Sequence, residues 1–113
     1  MKKQAWVTLI IIAIVLVASA IILINRSNQN INAELAKCIG QNSELYTQLG
    51  CHACETQKNL FGNNYQYLNV IDCFEIPDKC IEKGITATPT WIINGQKYVS
   101  IQKIETLKDL TGC

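Results

Sequence analysis

Twenty consecutive residues, Ala5 to Ile24 (AWVTLIIIAIVLVASAIILI), carry no formal charge. No other feature restricts the chain as strongly. A surface helix needs a polar face, and this segment has none. About 20 such residues, wound as a helix, cross the hydrocarbon core of a bilayer. Lys2 and Lys3 precede the run, and only Arg26 follows it closely. The positive-inside tendency then puts the N-terminus in the cytoplasm and the remainder outside. Trp6 suits an interfacial position. A cleaved signal peptide is the alternative, because Ala18-Ser19-Ala20 matches the small-residue cleavage pattern after a basic start. Against cleavage, the apolar run continues through Ile21-Ile22-Leu23-Ile24. Residues 1–24 are therefore expected to form an uncleaved single-pass anchor in the cell membrane. Either reading exports the remainder.

From Asn25 onward seven Lys and one Arg face nine Asp or Glu. This near-neutral balance argues against nucleic acid as a partner. Residues 25–32 (NRSNQNIN) are polar and aperiodic, and read as a short tether. Fully extended, such a segment reaches about 26–29 Å, so a domain over 33–113 would work close to the membrane. That domain is small and holds all six cysteines of the 113-residue chain. In an oxidising compartment such a load points to disulfides; in a reducing one it would point to metal binding or catalysis.

Periodicity gives the order helix, β, α, β, α, β, β, α. Ile31, Leu35 and Cys38 have helical spacing, with Gly40 as an expected stop. Residues 43–49 read as a strand. After Cys51-His52-Ala53-Cys54, the residues Ala53, Gln57, Leu60 and Phe61 share a helix face that ends at Gly62. The aromatic and β-branched run 64–73 reads as a strand. Pro77 and Gly84 bracket a short helix. Asn94-Gly95 between 90–93 and 96–99 is a strong hairpin signal. Ile104, Leu107 and Leu110 mark a last helix that stops at Gly112. The fold class is α/β, a small sheet flanked by helices.

Cys51 and Cys54 are the candidate chemical centre. The thiolate is the nucleophile in disulfide exchange. Cys51 stands where strand gives way to helix, and free N–H groups there stabilise negative charge. Cys54, one turn further on, can attack a mixed disulfide on Cys51 and release the product. A lone Cys-x-x-Cys could also be half of a zinc site or a plain crosslink. Zinc is disfavoured by the six-residue gap between Cys73 and Cys80 and by export. A copper–thiolate carrier has no methionine beyond Met1 to support it. No metal and no cofactor are expected. A third class of function is a stapled, non-enzymatic interaction module.

With strand, CHAC, helix and then Thr88-Pro89 entering a hairpin, the chain resembles the thioredoxin superfamily. It is most similar to the thioredoxin-like domain associated with bacterial vitamin K epoxide reductase homologues. The shared marks are LAKC, CHACETQKNLFG, NVIDC, GITATPTWIINGQKY and LKDLTGC. The resemblance implies a cis proline at Pro89, with the Thr88-Pro89 loop receiving the substrate peptide. It implies cysteine-containing protein substrates and electron transfer to a quinone-reducing membrane partner. With one apolar span in this sequence, a separate vitamin K epoxide reductase-like protein would supply that module. The resemblance also implies a Cys73–Cys80 disulfide, either structural or an electron relay. Cys38 and Cys113 are then left as a third pair, although Cys113 could equally stay free or crosslink another chain. Two departures stand out. Gly50 replaces the aromatic residue usual before the first cysteine. His52 follows Cys51 directly, where it either steadies the thiolate when protonated or is an exposed residue of little effect. Oxidation of substrates is the expected direction.

Overall fold

The strand β1 (Glu44–Thr47) has helices packed against both of its faces. The computed structural model describes residues 1–27 and 31–113, with side chains of the first group as far as Ile24. Side chains alternate across a strand, and here the alternation separates two cores. Leu45, Trp91 and Ile93 turn to one face, where Ala36, Ile39, Phe61 and Leu107 of three helices cover them. Tyr46 and Ile71 turn to the other, with Cys73, Cys80, Ile85 and Ile92. A strand covered on both faces is buried at consecutive positions, as Leu45, Tyr46 and the polar Thr47 are here.

The helices α1 (Lys2–Ser27) and α2 (Ala33–Gln41) precede β1. After it come α3 (His52–Phe61), a 3-10 helix (Gly62–Tyr67) and β2 (Val70–Asp72). The chain ends with α4 (Pro77–Glu82), the hairpin strands β3 (Thr90–Ile93) and β4 (Gln96–Val99), and α5 (Ile104–Thr111). The sheet order is β2-β1-β3-β4. β1 runs parallel to β2, with Tyr46 opposite Ile71. It runs antiparallel to β3, with Leu45 opposite Trp91. β3 and β4 are antiparallel, with Ile93 opposite Gln96 across Asn94-Gly95. A βαβ unit joined to a ββα unit, with helices on both faces, is a thioredoxin-like fold.

α1 contains a 23-residue stretch, Lys2–Ile24, in which an 18-residue window has mean hydropathy 3.3. At 1.5 Å per residue it is about 34 Å long, enough to cross a bilayer core of about 30 Å. By length and composition it is a candidate span, and a signal sequence would meet the same test. Of the expected tether 25–32, residues 25–27 continue the helix and 28–30 lie outside the described residues. At its far end Ile31 is buried in the core and the Asn32 side chain caps α2 by accepting from Leu35 N–H at 2.8 Å.

Two local expectations are corrected. Gly40 does not stop α2, which continues to Gln41 and is capped at Asn42. Its role is close approach: a Cβ there would lie 2.1 Å from the Tyr67 carbonyl oxygen. Residues 64–67 are part of the 3-10 helix rather than a strand, and β2 is only three residues long. The aromatic rings of that stretch are used differently. Lys37 Nζ lies 4.8 Å from the Tyr67 ring centroid and Lys58 Nζ 5.5 Å from that of Tyr65. On α3, Cys54, Gln57 and Phe61 are buried, whereas Leu60 faces solvent.

Candidate active site

Cys51 is the N-cap of α3. The first N–H groups of a helix have no partner within it, and one of them meets sulfur here. Cys54 N–H donates to Cys51 Sγ at 3.1 Å. Oxygen usually fills this position. A sulfur that accepts at a helix N-terminus is held in the field of the helix dipole, which favours its anion.

The backbone before Cys51 explains the glycine. Gly50 has φ +80, in the left-handed region, and a Cβ there would meet nothing within 4 Å. Backbone conformation, not space, makes an aromatic residue costly at this turn. Gly50 therefore sets the entry of Cys51 into α3.

The loop before β3 supplies the other side of the site. The Thr88–Pro89 peptide bond is cis. The Thr88 hydroxyl donates to Cys51 Sγ at 3.4 Å, and the Thr88 carbonyl oxygen lies 3.5 Å from the same sulfur. The sulfur thus has two donors beside it, an amide and a hydroxyl. The carbonyl would accept from a neutral thiol. Pro89 is buried and Thr88 half-buried.

Cys51 and Cys54 are joined as a disulfide with Cα atoms 5.2 Å apart. Cys51 is partly exposed and Cys54 is buried. An incoming sulfur can therefore reach Cys51 and not its partner. His52 is exposed at the first position of α3. Its backbone carbonyl accepts from the Thr56 hydroxyl at 3.3 Å, and its imidazole makes no hydrogen bond among the described residues.

The remaining cysteines are paired as Cys73–Cys80 and Cys38–Cys113, with Cα separations of 5.7 and 6.0 Å. Cys73–Cys80 fastens the residue after β2 to α4, and Cys38–Cys113 ties α2 to Cys113, two residues beyond α5. Among the described residues no group of three or more His, Cys, Asp or Glu side chains is arranged to hold a metal ion.

Gln57 was legible only as part of a helix face, and the structure gives it a larger part. Its side chain is fully buried. Oε1 accepts from Trp91 Nε1 at 3.0 Å and from Gln102 N–H at 2.7 Å, while Nε2 donates to the Gln102 carbonyl at 3.1 Å. This ties the cysteine-bearing helix to β3 and to the segment after β4. A glutamine on an otherwise apolar stripe was the available signal, since buried polar groups require partners.

The fold and the site define a thioredoxin-like domain with a Cys-x-x-Cys disulfide. No family model matches the chain. It is similar to the thiol-disulfide oxidoreductase LTO1 of Arabidopsis thaliana, with 29% identity over 79 residues. That match covers 62% of this chain and 21% of the plant protein, so the chain spans about a fifth of its curated relative. Among solved structures it is similar to the NTD_N/C domain of alkylhydroperoxide reductase AhpF from Enterococcus faecalis. The TM-score is 0.44 with 20% identity, over 71% of this chain and 44% of that one. It is also similar to oxidised thioredoxin from Plasmodium falciparum, with TM-score 0.46 and 19% identity, over 73% of this chain and 90% of that one.

Proposed function

We propose that the protein is a membrane-anchored, extracytoplasmic thiol–disulfide oxidoreductase that oxidises cysteine pairs in other proteins. One observation carries the reading: Cys51 Sγ, partly exposed at the N-cap of α3, accepts from Cys54 N–H and from the Thr88 hydroxyl. Both donors stabilise a sulfur anion, so Cys51 is a good leaving group and a good nucleophile.

The reaction balances as two exchanges. A substrate thiolate attacks Cys51 Sγ, the Cys51–Cys54 bond breaks, and Cys54 leaves as a thiolate that takes a proton. The second substrate thiol, deprotonated, then attacks the substrate sulfur of the mixed disulfide and expels Cys51. The substrate loses two electrons and forms its disulfide, and the protein becomes a dithiol. Run in reverse, Cys54 resolves the mixed disulfide. Thr88 and Pro89 would border the substrate peptide. His52, when protonated, would add positive charge beside Cys51. Cys73–Cys80 and Cys38–Cys113 would act as staples for a small domain.

The dithiol needs an oxidant to complete a cycle. A quinone-linked membrane protein of the vitamin K epoxide reductase type, accepting electrons by disulfide exchange, fits this reading. Support comes from the apolar helix Lys2–Ile24, the charge flanking it and the similarity to a thiol-disulfide oxidoreductase. In this topology residues 1–24 anchor the chain with the N-terminus in the cytoplasm, and 33–113 form the exported domain.

The test is trapping. A Cys54→Ala variant expressed in the native host should accumulate mixed disulfides through Cys51, which mass spectrometry would identify. Exported cysteine proteins and a membrane quinone reductase are the expected adducts. A Cys54→Ala protein that forms no adducts beyond those of the Cys51→Ala/Cys54→Ala double variant would refute the assignment.

A further inference from the structure

Gln57 stands one turn beyond Cys54 on α3, and its buried carboxamide grips the backbone of Gln102 at both N–H and carbonyl. The Gln102 side chain then turns back along its own chain. Its Nε2 donates to the carbonyls of Val99 and Ser100, at 3.2 and 3.3 Å. Ser100 has φ 84, in the left-handed region that residues other than glycine seldom occupy. Such a backbone persists where its surroundings enforce it. In that conformation Ser100 N–H donates to the Pro89 carbonyl at 2.8 Å. The bond lies one position beyond the terminal β3–β4 pair, Thr90 with Val99. It extends the hairpin's grip into the loop that carries Thr88.

These contacts close a circuit that begins and ends at Cys51. The path runs along α3 to Gln57, across to Gln102, back along the chain to Ser100 and across to Pro89. From Thr88, the neighbour of Pro89, the hydroxyl returns to Cys51 Sγ at 3.4 Å. Two further bonds brace the loop side. Trp91 Nε1 donates to Gln57 Oε1 at 3.0 Å, and the Thr90 hydroxyl donates to the Ala87 carbonyl at 2.6 Å. A hydrogen bond weakens steeply with distance and misalignment. The Thr88 hydroxyl therefore serves the sulfur only while the loop and α3 keep their separation.

We propose that Gln57 and Gln102 are positioning residues for the dithiol, holding the Thr88 hydroxyl against Cys51 Sγ through Ser100 and Pro89. The inference rests on the thiol-exchange reading and adds the residues that set the reactivity of its nucleophile. Neither glutamine has a sulfur of the dithiol among its hydrogen-bonding partners. Both act on Cys51 by way of Thr88. Position along such a path is not itself proof of coupling. Substitutions that act through one shared contact are non-additive, and that property separates coupling from a mere tie.

The experiment uses the full chain in detergent micelles with Cys51–Cys54 reduced. Alkylation of Cys51 by iodoacetamide is followed across pH by mass spectrometry. Gln102→Met keeps the backbone bonds to Gln57 and removes the two side-chain bonds. Its Cys51 rate at neutral pH should fall about threefold and its pH midpoint should rise about half a unit, part of the effect of one charge-assisted hydrogen bond. Gln57→Met should move the profile in the same direction. The Thr88→Val/Gln102→Met double variant should match Thr88→Val alone. Thr88→Ser/Gln102→Met, which keeps a hydroxyl, should still show the shift. A purely structural tie would lower the urea midpoint and leave the alkylation profile in place. An unmoved profile in Gln102→Met, or a double variant whose shift is the sum of the two singles, overturns the inference and leaves the thiol-exchange reading standing. A wild-type Cys51–Cys54 bond that reductant cannot open in the folded protein defeats both. Gln102 is only partly buried, so Gln102→Met decides the question even where Gln57→Met does not fold.

Discussion

Thr88 donates its side-chain hydroxyl to Cys51 Sγ at 3.4 Å, joining residues 37 positions apart. A hydrogen bond to a charged group is worth more than one between neutral groups, so this contact favours the Cys51 thiolate over the thiol. Thr88→Val removes the donor and keeps the shape. Attack by reduced Cys51 on a small disulfide at neutral pH should slow by roughly threefold to tenfold, the scale of one such bond. The pH–rate profile should move to higher pH, and Thr88→Ser should restore it. An unchanged profile in Thr88→Val would remove Thr88 from the chemistry.

Gly40→Ala sets helix propensity against packing. Alanine is about 1 kcal/mol the better helix former. Its Cβ, however, would stand 2.1 Å from the Tyr67 carbonyl and 3.1 Å from Leu68 Cα, both backbone atoms. Overpacking of this kind costs about 1–3 kcal/mol. Urea unfolding should show a net loss of stability; a gain would mean that the close approach is not maintained in solution.

The two staples should differ in worth. Cys38–Cys113 closes a separation of 75 residues and Cys73–Cys80 one of 7. The chain-entropy model assigns roughly 4 kcal/mol to the first and roughly 2–3 kcal/mol to the second. Paired Cys→Ala variants, compared by denaturant midpoint, should follow that order. Thiol-exchange rates should persist in whichever variants fold, because neither pair contacts Cys51 Sγ among its hydrogen-bonding partners.

Alkaline pH should destabilise the domain through Tyr46. Burial, then the hydrogen bond and charge of Glu44, hold its phenol well above the ordinary 10.0. The unfolded chain releases this proton near pH 10 while the folded one keeps it. The folded state then binds more protons, so stability is complete below pH 10 and falls as pH rises towards the raised folded value. Rapid pH-jump unfolding should show this loss, and Tyr46→Phe should flatten it.

Much of this could be read in the residues, for identifiable physical reasons. Asn94-Gly95 marks its hairpin because the turn needs positive φ at both central residues, and Asn94 and Gly95 have φ of 51 and 78. The strand–CHAC–helix junction is visible because the apolar period changes there. The 3-10 helix escapes a local reading because Tyr65 and Tyr67 suit a strand by local preference, whereas in the fold Tyr65 packs against the core and the two rings lie beside Lys58 and Lys37. Gly40 reads as a stop in the sequence because a stop and a close approach call for the same residue. Neither the Gln57–Trp91–Gln102 tie nor the Thr88 hydroxyl leaves a periodic signal. Both join residues at least 34 positions apart, and only the folded sheet brings them together.

The most direct measurement is a redox titration of the full chain in glutathione buffers, with each cysteine scored by alkylation and mass spectrometry. Cys51 and Cys54 should interconvert together as a two-electron couple under native conditions, while Cys38–Cys113 and Cys73–Cys80 stay oxidised. A Cys51–Cys54 bond that remains intact across the whole range until the protein unfolds would contradict a redox role and leave the pair a structural crosslink.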